Sequence, residues 1–528
     1  MAQEAILAAN GGPILAALAD GRPIELNRVP QSAPTAWIRL TDPEGIRIYQ
    51  RSVSFLLCAA AHELFPGARL VIEHSLSNGL YVEFRGGPPM TPRLLSRLSD
   101  RMRQLVGRDL PITRRDLPLE QARRFAADQG RTDLSRLFAT LDTPTVPLYE
   151  CAAYLDYASG VLASRTGELN RFRLDIYLPG LILQTPDPNA DFAIGPFVDQ
   201  PRLAEVHREC ERWGEQLDIA HVGALNELIA QGHAGDLIRI SEALHEKRIV
   251  QITERIQAQR PTVRIILIAG PSSSGKTTFA QRLRTQLRAD GLRPVALSLD
   301  NYFVDREATP RDENGQYDYE SIEALDLDLF NQQLAELIQG ETVELPAFDF
   351  QLGKRVSSGR KLTLGPDQPL IIEGIHGLNE RLTASIPKRA KYKIYVSALT
   401  QLNITDHVRI PTRDVRFCRR LVRDHLYRGA SAAHTFEMWP SVRRGEERNI
   451  FPFQEGADIM FSSALPFELS VLKRPAEELL AGLDERGAFG VDIVRIKTLL
   501  SHFLPLDAAE IPTTSILREF VGGGCYAH

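Results

Sequence analysis

The chain has 528 residues, 43% of them apolar, and carries a formal charge of −5. That length suits roughly three domains, and the composition is that of an ordinary globular protein. The mild acidity excludes a molecule whose overall field gathers nucleic acid or anionic membrane, while leaving room for local basic patches. Five cysteines (Cys58, Cys151, Cys210, Cys418 and Cys525) are scattered, odd in number and without a C-x-x-C pair. They read as free thiols in a reducing compartment, not as a disulfide framework or a zinc site. The opening MAQEAILAANGG has no basic stretch before its short apolar run, and no segment approaches about 18 consecutive apolar residues. Neither a signal peptide nor a membrane span is expected, and a cytoplasmic location follows.

In chain order, residues 1–45 alternate short apolar runs with Gly11-Gly12, Asp20-Gly21 and Pro43, a pattern of short strands joined by turns. Residues 53–64 place Phe55, Leu56, Ala59, Ala60 and Leu64 on one side of a helix. Two strand-like runs come next, ARLVIEHSL and GLYVEFRG, joined at Ser77-Asn78-Gly79. Between Thr91 and Thr140, eleven arginines stand against six acids. The helical spacing of Leu94, Leu98, Met102 and Leu105 makes most of these arginines the wet side of packed helices. RNA contact is the rival reading, disfavoured because the run lacks interleaved aromatic residues. Strand-like sequence returns over 167–186, then polar helical sequence runs from 201 to about 259, with QAQRPT at 257–262 as the expected linker.

The stretch VRIILIAGPSSSGKTTFA, residues 263–280, organises the second half of the chain. A β-branched apolar run feeds a G-x-x-x-x-G-K-[ST] loop (Gly270, Gly275, Lys276, Thr277) and then a helix with Phe279, Leu283 and Leu287 at apolar spacing. Such a loop turns backbone N–H groups toward phosphate oxygens, with Lys276 on the terminal phosphates and the Thr277 hydroxyl available to Mg²⁺. ATP contacts are expected from Gly270, Ser272, Ser273, Ser274, Gly275, Lys276, Thr277 and Thr278. The bland reading is a glycine-rich turn with a solvated lysine.

Apolar runs at 294–300, 369–375, 392–398 and 458–464 alternate with helical sequence. They argue a mostly parallel sheet covered by helices on both faces, with ligands at the carboxyl ends of its strands. Asp300 and Glu373 each end such a run on the edge of the phosphate loop. Both could touch Mg²⁺, and Asp300, followed by Asn301-Tyr302-Phe303, suits the base that takes a proton from an acceptor hydroxyl. Over residues 413–429, Arg416, Arg420 and Arg423 share a helical face, with Arg428 beyond. A cluster that dense can close as a lid over ATP; its bland alternative is a solvated helix partnered by Asp414 and Asp424.

These residues resemble the uridine kinase and phosphoribulokinase family of P-loop kinases over about 263–480. The resemblance is carried by GPSSSGKTT, SLDNYF, YDYESIEALD, LPAFDF, LIIEGI and RRLVRDHLYRG. It implies Asp300 as catalytic base, Lys276 on the phosphates, and Thr277 and Glu373 near Mg²⁺. It also implies Arg420, Arg423 and Arg428 as lid or phosphate ligands, and an acceptor pocket lined by Asp318 and Phe348 and reached by Arg420. Residues 46–186 are similar to the second additional, editing-type domain of threonyl-tRNA synthetases, through QRSVSFLLCAAAHELFPGARLVIEHSLSNGLYVEF. The segment before them resembles a truncated TGS-type β-grasp module. The editing histidines would fall on Arg51 and Phe55, and the later cysteine and histidine on Tyr177 and Leu181, so no aminoacyl-tRNA hydrolysis is expected.

The expected architecture is therefore a P-loop α/β domain preceded by an α+β region. The divisions fall at 1–45 (TGS-like), 46–240 (synthetase-like), 241–480 (kinase-like) and 481–528 (C-terminal tail). The expected activity is ATP- and Mg²⁺-dependent phosphorylation of a small acceptor, first a nucleoside such as uridine, second a sugar or sugar phosphate. An RNA-binding nucleotide switch is the rival from another class, and self-association is left open. A family histidine falls on Gly353, an arginine on Ala430 and a glutamine on Met438, so a roomier, more apolar acceptor pocket is expected, with either broad, weak nucleoside selectivity or a different acceptor altogether.

Overall fold

Turn chemistry fixes the first strands. In the computed structural model, which describes residues 12–29, 36–313, 315–349, 352–400 and 402–526, β1 (Ile14–Ala19) and β2 (Arg22–Ile24) meet across the two-residue turn Asp20-Gly21, and β3 (Ala36–Arg39) pairs the other edge of β1. The run read for a leader lies, but for Gly12, outside the described residues, as do Phe350 and Gln351. Helix α1 (Pro43–Leu64) begins ten residues before the expected start at 53. Pro43 sits in its first turn, where a proline needs no N–H partner, so the residue read as a turn opens a helix instead. Strands β4 (Arg69–Leu76) and β5 (Gly79–Arg85) form the expected hairpin.

The basic stretch folds as α2 (Pro92–Gly107), β6 (Thr113–Pro118), α3 (Leu119–Asp128) and α4 (Thr132–Thr140). Leu94, Leu98, Met102 and Leu105 are buried. Arginines of the run are paired within the chain: Arg101 to Glu63, Arg131 to Asp133 and Asp156, Arg136 to Asp218. Strands β7 (Thr145–Cys151) and β8 (Tyr154–Tyr157) complete a sheet in the order β6-β7-β8. Strands β9 (Arg173–Tyr177) and β10 (Gly180–Gln184) complete another, in the order β4-β5-β10-β9. This is the α+β region.

Helices α5 (Pro201–Gln216), α6 (Val222–Ala230) and α7 (Ala234–Ala258) come next. The segment 257–262 is a tight connection, not a hinge. Ile249, Ile252 and Ile256 of α7 share one core with Ile266 and Ile268 of β11 (Ile265–Ala269), and with Leu134 and Leu137 of α4. The chain continues through α8 (Lys276–Ala289), β12 (Val295–Ser298), α9 (Leu327–Gln339), the hairpin β13 (Thr342–Asp349) and β14 (Lys354–Thr363), β15 (Leu370–Glu373) and β16 (Lys391–Ser397). After the short hairpin β17 (Asn403–Thr405) and β18 (Val408–Arg409) come α10 (Thr412–Arg428), α11 (Ala432–Asn449), β19 (Ile459–Ser462), α12 (Glu468–Ala481) and α13 (Gly490–Ser501).

The five-stranded sheet runs β12-β15-β11-β16-β19, all parallel. Successive strand side chains point to opposite faces. Ile266 and Ile268 meet Phe279 and Leu283 of α8 on one side, and Ile265 and Leu267 meet Phe330 and Leu334 of α9 on the other. Both faces are covered, as continuous apolar strands demand. The five cysteines are free, and among the described residues no helix is long and apolar enough to cross a membrane.

The two halves are stitched together at β17-β18. The Ile72 N–H donates to the Asp406 carbonyl (2.8 Å), and Asn403 Nδ2 donates to the Ile72 carbonyl (3.0 Å). Arg69 holds both carboxylate oxygens of Asp406 at 2.6 Å, and His221 lies 2.8 Å away. Burial opposes the charge of Asp406, but Arg69 and His221 outweigh it and hold the carboxyl well below its usual range. Asp406→Ala is expected to cost about 2–3 kcal/mol at pH 7, less than a fully buried pair because Arg69 is 44% exposed. A depressed carboxyl pKa gives stability that is present above the unfolded value and lost as pH falls. The deficit, measured by urea denaturation, should therefore shrink below pH 3.8.

Candidate active site

The loop leaves β11, the middle strand, at the carboxyl edge of the sheet. A Cβ at Gly270 would lie 2.0 Å from the Val396 carbonyl oxygen, so only glycine lets the loop pass this close to β16. Ser273 (φ 58°) and Gly275 (φ 82°) are left-handed, and Gly275 caps α8. For a serine that conformation costs on the order of 1 kcal/mol and persists only where neighbours hold it. The neighbours here are largely arginines of α10.

Arg416 Nε donates to the Ser272 carbonyl (2.9 Å), Arg419 Nη1 to the Ser273 carbonyl (3.4 Å) and Arg420 Nη1 to Ser272 Oγ (2.7 Å). Glu446 accepts from the Ser272 N–H (3.0 Å) and pairs with Arg416, while Glu468 pairs with Arg419 at 2.5 Å. Ser463 Oγ donates to the Ser274 carbonyl. Arg416 and Arg419 are almost fully buried. Arg416, expected on a lid face, is thus a buttress of the loop, and the helix is not the solvated one of the bland reading. Arg420 reaches both Ser272 and Asp424, and Arg423 and the half-exposed Arg428 gather on Asp424. Asp414, the other acid expected as a partner, pairs with Arg413 of the same helix at 3.6 Å and also with Arg495.

Glu373 ends β15 in register with Ile268 and Ser298. Strand β12 stops at Ser298, so Asp300 lies in a single 3-10 turn just past the strand end instead of terminating it. Ser298 Oγ links the two acids: it donates to Glu373 Oε1 (3.0 Å) and accepts from the Asp300 N–H (3.3 Å). Burial pushes the Glu373 carboxyl up to about 7; the Asp300 charge adds to this, and Lys276 opposes it. Its Oε2 is buried without a hydrogen-bond partner. An orphaned carboxylate oxygen facing a lysine and a second acid fits a divalent cation. Among the described residues no cluster of three or more His, Cys, Asp or Glu could hold a metal alone.

Asp318 Oδ1 accepts from the Glu320 N–H (3.2 Å), and Phe348 packs on Phe303, three residues beyond Asp300, with ring centres 5.7 Å apart. Phe348 therefore lies beside the segment that follows the Asp300 turn. Burial and the Glu446 charge push Glu320 up to about 7, against Arg420 and Lys276. The space expected at Gly353 is not vacant. A Cβ there would lie 2.7 Å from the Arg306 guanidinium carbon, so the Arg306 side chain lies against Gly353. Ala430 and Met438 supply no polar group in its place.

In the N-terminal half, Arg51 binds Glu44 and the Val161 carbonyl, Phe55 packs against Tyr154, Tyr177 donates to Asp199, and Leu181 is fully buried. These positions do structural work. Sequence reasoning missed Ser298, Arg419, Glu446 and Glu468. Only Ser298 carries a local signal, as the last strand residue two before the acid.

Residues 265–467 match the model of the phosphoribulokinase / uridine kinase family. The chain is also similar to threonine–tRNA ligases. That of Granulibacter bethesdensis is 28% identical over 236 residues, 41% of this chain and 36% of the relative. That of Aromatoleum aromaticum is 32% identical over 162 residues, 30% of this chain and 25% of the relative. The chain thus spans about a quarter to just over a third of these relatives, and the likeness falls in the N-terminal part. Among solved structures, a possible uridine kinase from Bacillus stearothermophilus is 20% identical with a TM-score of 0.29, covering 41% of this chain and 98% of that one.

A raised carboxyl pKa means that the folded state binds the Glu373 proton more tightly than the unfolded state. The resulting stability is complete below 4.5 and lost as pH rises through about 7. Glu373→Gln is therefore expected to stabilise the ligand-free chain at pH 8 by about 1–3 kcal/mol and to leave it unchanged near pH 4.5. Thermal denaturation at the two pH values is the check.

Proposed function

We propose that the protein is a kinase that transfers the γ-phosphoryl group of ATP to a hydroxyl of a small acceptor, with a uridine-type nucleoside as the first candidate. The observation that carries this reading is the convergence, at one sheet edge, of the phosphate loop and Lys276 with the chain of contacts Asp300–Ser298–Glu373. The loop N–H groups and Lys276 bind the phosphates. Thr277 and Glu373 would hold Mg²⁺, which when bound offsets charge on the phosphate oxygens. Asp300 takes the acceptor proton as the acceptor oxygen bonds to the γ-phosphorus and the bond to the ADP oxygen breaks. Arg420, held at Ser272, offers positive charge beside the transferred group, and Arg423 and Arg428 extend that charge outward along α10. Asp318 and Phe348 border the side from which the acceptor approaches.

A sugar or sugar phosphate is the second reading, supported by a family description that joins phosphoribulokinase with uridine kinase. Lys276→Ala is expected to abolish phosphoryl transfer, because the loop loses the side-chain cation it places on the terminal phosphates. Asp300→Asn should retain ATP binding and lose roughly 10²-fold or more in turnover. ATP-consumption assays across uridine, cytidine, adenosine, guanosine, inosine, free pentoses and ribulose 5-phosphate identify the acceptor. A broad profile is expected, since Ala430 and Met438 bring no polar side chain that would penalise an analogue. Wild-type rates in the Lys276 variant would sink the kinase reading, and a strict uridine and cytidine preference would sink the selectivity argument.

The N-terminal half is proposed to be a scaffold without editing activity. Deacylation of mischarged threonine-type tRNA should not exceed the no-enzyme rate, because Arg51, Phe55, Tyr177 and Leu181 provide no base or thiol at neutral pH.

A further inference from the structure

The chain's own C-terminal segment lies on the phosphate loop. Thr278 donates to Glu519 Oε2 from both its backbone N–H (3.1 Å) and its Oγ1 (2.9 Å). Thr278 is the third residue of α8, so its N–H is one of the first-turn donors that have no partner inside the helix and that attract anions. The carboxylate that satisfies it comes from 241 residues away and is 7% exposed.

Three further contacts fix this approach. Ile516 presses on the loop, since a Cβ at Gly275 would lie 2.4 Å from its Cγ2. The Phe520 ring lies under the Arg419 guanidinium at 4.8 Å. Arg518 ties the segment into shape through the carbonyls of Ala508 (2.8 Å), Ile511 (2.7 Å) and Gly522 (3.2 Å). Ile516, Leu517 and Phe520 are fully buried.

We infer that the C-terminal segment is a built-in competitor for the nucleotide: Glu519 occupies phosphate-binding donors of α8, and ATP binds by displacing it. The inference rests on the kinase reading of the loop. A phosphate oxygen and Glu519 Oε2 cannot both take the Thr278 N–H. A phosphate brought against a buried carboxylate is also repelled, strongly so away from water. Displacement uncovers Ile516, Leu517 and Phe520, so part of the nucleotide's binding free energy is spent on opening the segment, and apparent affinity falls by the fraction of chains that are open.

The test uses the full chain as wild type, E519A and E519Q. ATP affinity is measured by titration calorimetry, and hydrogen exchange over residues 511–526 is followed with and without saturating ATP. E519A is expected to bind ATP about tenfold more tightly, equivalent to about 1.4 kcal/mol, and E519Q by less, because its amide oxygen can still accept from Thr278. In the wild type, ATP should speed exchange across the segment. Equal affinity in all three proteins, with the segment equally protected at saturation, overturns the inference and leaves the kinase reading standing. Absence of ATP binding from all three brings down both. Where affinity and exchange disagree, the exchange result on the wild type decides, since it needs no substitution in a buried segment.

Discussion

The site depends on two arginines buried beneath a curled backbone. A loop that turns its N–H groups toward a ligand must turn some of its carbonyls inward, and inward carbonyls need donors. Arg416 and Arg419 supply them to Ser272 and Ser273. A buried guanidinium is itself costly by several kcal/mol unless it is paired and its remaining N–H groups are used. Glu446 and Glu468 provide the pairing, and Ser463 accepts further bonds from Arg419. The loop is therefore shaped by residues that lie far later in the chain, on α10, α11, the end of β19 and α12. Any change that loosens α10 reaches the ligand-facing N–H groups directly.

Sequence legibility tracked the range of the interaction. The phosphate loop could be read because strand, glycines, lysine and helix are contiguous, and the parallel sheet because its strands are apolar on both faces. Glu373 and Asp300 were legible by position, since a residue leaving a strand at that edge emerges beside the loop. Arg416 was misplaced for a different reason. Helical spacing tells which residues share a face with Arg420, not what covers that face, and here the cover is the loop itself. Arg419 lies off the counted face and gave no sign. At Gly353 the sequence showed only a missing side chain, while the structure brings the Arg306 guanidinium against that position.

The N-terminal half shows the same limit from the other side. Its α+β form was legible, and so was the loss of groups at Arg51, Phe55, Tyr177 and Leu181. What replaced them was not. Arg51 now braces Glu44 against the Val161 carbonyl, and Phe55 joins an aromatic contact with Tyr154. In this structure the four positions are taken up by hydrogen bonds and packing.

The hairpin β17-β18 gives the arrangement a consequence for inheritance. Its backbone is hydrogen-bonded to β4, Asp406 is gripped by Arg69 and His221, and His407 is bonded to Asp156. The nucleotide half thus threads part of itself into its neighbour, and the core from α4 to α8 runs through both. Modules joined by a flexible tether can be shuffled, lost or swapped between genes with little penalty. Here neither half can be deleted or exchanged without exposing the other's interior.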